Sequence, residues 1–156
     1  MQKGWIVVLL LLSLSLPGCS DDRAEREAKA VEAAKRFNAD VLDYSKRPNG
    51  EVEEGFPDAT ARAQQSVKEQ LLSLDEMRRN TRGSVPEVQA VQIVNTVPLG
   101  EDGADGFIVN TKVSYNLEAG SDYHAKVGLV IIPDGEAWKV DRVEFAHHLD
   151  LSDIQR

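Results

Sequence analysis

Cysteine is almost missing from this chain: among 156 residues only Cys19 carries a thiol. No internal disulfide can form, so the protein must fold on its apolar core alone. Basic residues are scarce as well, 18 against 26 acidic ones, for a formal net charge of −8. Such a body has no counterion-release drive toward nucleic acid. It also gains nothing from an anionic bilayer surface, so any membrane contact has to come from an anchor. Long uncharged runs are missing too. Trp5 to Leu16 spans about a dozen residues, where a spanning helix needs roughly 20, and Pro17-Gly18 followed by Asp21, Asp22 and Arg23 prevents its extension. There is no GxSxG, no HExxH, no glycine-rich phosphate loop and no CxxC. Neither a catalytic residue, a cofactor nor a metal is expected on that pattern.

What is present begins with Lys3, the uncharged run and the small residue before Cys19, the arrangement of a secretory signal. Leu16-Pro17-Gly18-Cys19 resembles the lipobox of bacterial lipoproteins. The resemblance covers about 20 residues of the kind that a signal segment occupies. It implies a diacylglyceryl group on the Cys19 thiol, cleavage between Gly18 and Cys19, and further acylation of the new amino terminus. One acyl chain holds a protein only marginally, whereas two or more, at ~0.8 kcal/mol per buried CH₂, hold it durably. Ser20, rather than aspartate, follows the cysteine, which resembles the outer-membrane address of that class, with the body facing the periplasm.

Four segments are expected: a signal peptide at 1–18, a lipid-anchored tether at 19–29, an α+β domain at 30–147 and a C-terminal tail at 148–156. Ala30, Ala33, Ala34, Phe37, Val41 and Tyr44 lie on one face of a helix over about 22–46, closed by Pro48-Asn49-Gly50. A second helix over 57–82 is expected, with Asp58 as its N-cap and a stripe of Ala63, Val67, Leu71 and Leu74. After Gly83 the period changes to strict alternation. Val85–Pro98, Phe107–Leu117, Tyr123–Ile131 and Ala137–His147 read as four strands. The last contains a parity break: Trp138 and Val140 fall on one face and Val143 and Phe145 on the other. A bulge near Asp141-Arg142 would bring all four to the core. Two helices followed by a four-stranded antiparallel meander is an α+β layout with the helices on one sheet face. Its element order and the closing GEAWKVDRVEF resemble cystatin-like and nuclear-transport-factor-2-like folds.

Two acidic clusters are candidate partner contacts: Glu51, Glu53 and Glu54 in the loop between the helices, and Glu101, Asp102 and Asp105 in the loop PLGEDGADG. The second lacks the ligand spacing of an EF-hand and reads as a hairpin tip. His147 and His148 are neighbours on a strand and so point to opposite faces, which argues against a shared metal. A pocket between sheet and helices would draw on Asp40, Asp43, Tyr44, Tyr115 and Tyr123, the aspartates being expected on the wet flank of the first helix. Three functions are compatible with these features: a lipid-anchored module for protein binding or assembly in the envelope, an inhibitor or immunity protein steered to a basic toxin or hydrolase by its acids, and a carrier or enzyme with an apolar pocket.

Overall fold

The computed structural model describes residues 20–46, 56–117 and 123–154. Helix α1 (Ser20–Val41) is followed by a 3-10 turn at Tyr44–Lys46, helices α2 (Ala61–Gln70) and α3 (Leu74–Asn80), strands β1 (Glu87–Leu99), β2 (Gly106–Asn116), β3 (Tyr123–Asp134) and β4 (Ala137–Phe145), and a short helix α4 (Leu151–Ile154). The strands form one antiparallel meander in the order β1-β2-β3-β4, so the α+β architecture expected from the sequence is the one found.

Helix α1 buries the stripe read from its spacing. Ala30, Ala33, Ala34, Phe37 and Val41 all lie in the core, and the three alanines let the helix axis come close to the sheet. Asn38 is buried among them and donates its amide to Thr111 Oγ1 at 3.0 Å. From Ser20 to Lys29 the chain is already helical, in line with the helical period read from about residue 22. This stretch has no glycine or proline, and Lys29 pairs with Glu25 one turn away at 2.7 Å. Arg26 donates to the Asp102 carbonyl at 3.2 Å and Thr96 Oγ1 meets Glu27, so this end of α1 rests on the β1–β2 hairpin.

The second expected helix is two. Thr60, not Asp58, is the N-cap of α2, accepting from the Ala63 N–H; Asp58 pairs with Arg36 instead. The chain breaks at Leu71–Ser73 and restarts with a capping box, in which Ser73 Oγ accepts the Glu76 N–H and Glu76 accepts the Ser73 N–H at 2.8 Å. The Ser73 N–H, and then its hydroxyl, hold the Glu76 carboxyl below the ordinary carboxylate range. Because the folded value is lowered, this cap contributes fully above the unfolded value and is lost as pH falls through the folded one.

The bulge in β4 is present. Ile131 faces Val140 while Val130 faces Arg142, leaving Asp141 as the extra residue. Trp138, Val140 and Val143 are all buried in one core, with Phe145 packed against it. The edge strand β1 has two more bulges, at Gln89 and Val94. The second reverses parity: Val91 and Ile93 pack toward the helices, whereas Val97, which simple alternation would put beside them, packs with Leu99 on the opposite sheet face. The outer edge of β4 is closed. Thr60 N–H bonds to the Val140 carbonyl and Val140 N–H to the Asp58 carbonyl, both at 2.8 Å. Farther along, the Gln70 amide bonds the Val143 carbonyl at 3.0 Å and accepts the Phe145 N–H at 3.2 Å.

The far face of the sheet is not left to water. The chain turns back after β4 at Ala146 (φ 67°) and seats Leu149 against Ile108 and Val130. Asn110 fixes it, accepting the Leu149 N–H and donating to its carbonyl, each at 2.8 Å. A Cβ on Gly128 would come within 2.7 Å of the Leu149 side chain, so glycine is required under the tail.

Candidate functional site

Strand β4 stops before its neighbour does. Phe145 is its last paired residue, opposite Val127, but β3 runs on to Tyr123. Beyond that point a single rung remains, from Ala146 N–H to the Lys126 carbonyl at 2.8 Å. The space where β4 would have continued is a half-open cleft of about 680 Å³, walled on its other side by the link from α2 to α3.

Its floor and walls are mostly apolar. Leu42, Leu71, Leu72, Met77 and Phe145 line it together with three tyrosines. Tyr115 and Tyr123 are cross-strand partners whose rings meet at 5.5 Å and 44°. The Tyr44 hydroxyl donates to the Leu72 carbonyl at 2.9 Å, tying the end of α1 to the α2–α3 link. Of the side chains nominated for a pocket, the structure therefore gathers Tyr44, Tyr115 and Tyr123. It does not gather the aspartates. Asp40 is exposed and Asp43, expected on the wet flank, is buried because it caps its own turn, accepting from Ser45 N–H and Oγ at 3.1 and 2.5 Å.

The rim is polar. His124, Lys126, Glu144 and His147 surround the mouth. Glu144 is held by Arg142 at 3.1 Å, and His124 Nδ1 lies 3.0 Å from Ser114 Oγ. Lys126 has no acidic partner among the described residues. The strand expected to run to His147 ends at Phe145, so no strand alternation acts on the two histidines: beyond the turn at Ala146, His147 stands at the cleft, while His148 Nε2 meets the Thr111 carbonyl at 3.1 Å. No cluster of three metal-binding side chains occurs among the described residues.

The acidic tip lies elsewhere. Glu101, Asp102 and Asp105 are exposed at the β1–β2 connection, whereas the cleft is at the opposite end of β2 and β3, by Tyr115 and Tyr123. Along β2 the two are separated by about 30 Å at 3.3–3.4 Å per residue. Gly18, Cys19, Glu51, Glu53 and Glu54 fall outside the described residues. Compared with known protein families, curated proteins and solved structures, the chain matches none.

Proposed function

We propose that this chain is a bacterial lipoprotein, anchored through Cys19 in the outer membrane and facing the periplasm, that serves as a non-catalytic module for protein binding or assembly. The observation that carries this reading is the cleft at the end of β4: an apolar, tyrosine-lined recess with a polar rim, interrupting a sheet whose far face and outer edge are otherwise closed. Its position favours an anchored receptor. Helix α1 starts beside the acidic hairpin and delivers the chain to Leu42 and Tyr44 in the cleft just past its end, so a lipid on Cys19 would leave the cleft at the end away from the membrane.

A cavity of this volume lies within the ~300–1,000 Å³ of small-ligand sites, which favours a carrier as the second reading. In cells fed labelled palmitate, the wild-type protein takes up label and stays in the membrane pellet, and Cys19→Ala does neither. After gentle detergent extraction, the wild type brings a stoichiometric partner with it. Equal retention of Cys19→Ala in the pellet would refute the anchor. Repeated recovery of the protein alone, even after crosslinking in intact cells, would refute the binding module.

A further inference from the structure

The main chain at the cleft carries more information than its side chains. In an antiparallel strand the N–H and C=O of one residue point to the same side, and the side alternates from residue to residue. The Lys126 carbonyl points toward β4, since it accepts the Ala146 N–H. Two residues back, the N–H and C=O of His124 point the same way. There β4 has ended and the cleft begins. The side chains agree with this phase: Ser114 and His124 are direct partners in β2 and β3 and their side chains meet at 3.0 Å, the close approach of a pair that does not exchange main-chain bonds.

Resting on the binding-module reading, we infer that the cleft takes an extended peptide segment of a partner protein, which adds as a short strand beside β3 in the place that β4 vacates. The His124 N–H and C=O form its first rungs. Because a strand alternates, one side chain of the peptide enters the apolar recess among Leu71, Leu72, Met77 and Tyr123, while the next lies on the rim. Charge sets the preference at the rim. On a chain of net charge −8, the described residues of the cleft present Lys126 without an acidic partner and a single acid, Glu144, already engaged by Arg142. The favoured segment pairs an apolar residue with an adjacent carboxylate.

A pool of acetylated heptapeptides with randomised sequence tests this against the protein purified from membranes in detergent, read by enrichment and then by fluorescence anisotropy of the selected peptides. Enriched sequences should alternate, with an acid next to a large apolar residue. N-methylation of a single rung-forming peptide bond should weaken binding at least tenfold, as should the surface change Lys126→Glu and the exposed Leu72→Arg, both with unchanged thermal unfolding. Peptides that bind equally well after N-methylation at every position would overturn strand addition yet leave a protein-binding cleft. No enrichment, or displacement of selected peptides by a fatty acid alone, would overturn the peptide as occupant. In cells, a photo-crosslinker at position 124 should capture the partner found by copurification, and one at position 102 should not. The reverse pattern would move the partner to the acidic tip and sink this inference without touching the binding-module reading.

Discussion

One side-chain amide, that of Asn110, holds the C-terminal tail on the sheet by satisfying both main-chain groups of Leu149. Asn110 and Leu149 are both buried, so neither group has water to turn to if the amide is removed. A buried unsatisfied group costs about 1–3 kcal/mol. Asn110→Ala should therefore lower stability by about 2–3 kcal/mol in denaturant unfolding and speed amide exchange at Leu149. A protein of unchanged midpoint and protection would show that the tail is held by something else. None of this was legible in the sequence, where Asn110 is one more polar residue of an alternating strand and its partner lies 39 positions away. The tyrosines of the cleft were legible as a residue type with an apolar body and a polar tip. Their convergence was not, because it depends on where β4 ends.

At the level of elements, the parity of apolar residues carried the furthest. The helical stripe of α1 and the bulge in β4 both follow from counting. Deleting Asp141 should turn Trp138 and Val140 away from the core. At about 1.5–3 kcal/mol for each large apolar side chain, the loss is comparable with the whole stability of a small domain, about 5–15 kcal/mol. The deletion variant should lose its near-UV tryptophan signal and cooperative unfolding, whereas Asp141→Gly, which keeps the extra residue and loses only the bonds to Thr60 and Arg62, should keep both. Equal behaviour of the two variants would mean that the carboxylate, not the extra residue, matters. The break between α2 and α3 was also written in the chain, as Ser73 followed three residues later by Glu76. The continuous stripe from Ala63 to Leu74 hid it, since a stripe shows which face is apolar but not whether the backbone is unbroken. The parity reversal in β1 had no such signature: Val94 looks like any strand valine, and only its pairing marks it as the extra residue.

At the scale of the molecule, α1 sets a distance. Its 22 residues, at 1.5 Å each, span about 33 Å from Ser20 toward the cleft. If, as proposed, lipid occupies the Cys19 thiol, single cysteines placed at Asp102 and at His124 can be labelled separately in vesicle-bound protein. A quencher on the lipid headgroups should dim the label at 102 strongly and the one at 124 weakly. Equal quenching would mean that the body lies flat and that the cleft is not held away from the bilayer. The closed outer edge of β4 has a consequence for crowded surroundings. Main-chain atoms of Asp58 and Thr60 and the Gln70 amide occupy the valences of Val140, Val143 and Phe145, so among the described residues β1 is the long edge still free. A fibril built edge to edge needs two long free edges in every subunit; with only β1 to offer, that kind of pairing joins two sheets and then stops.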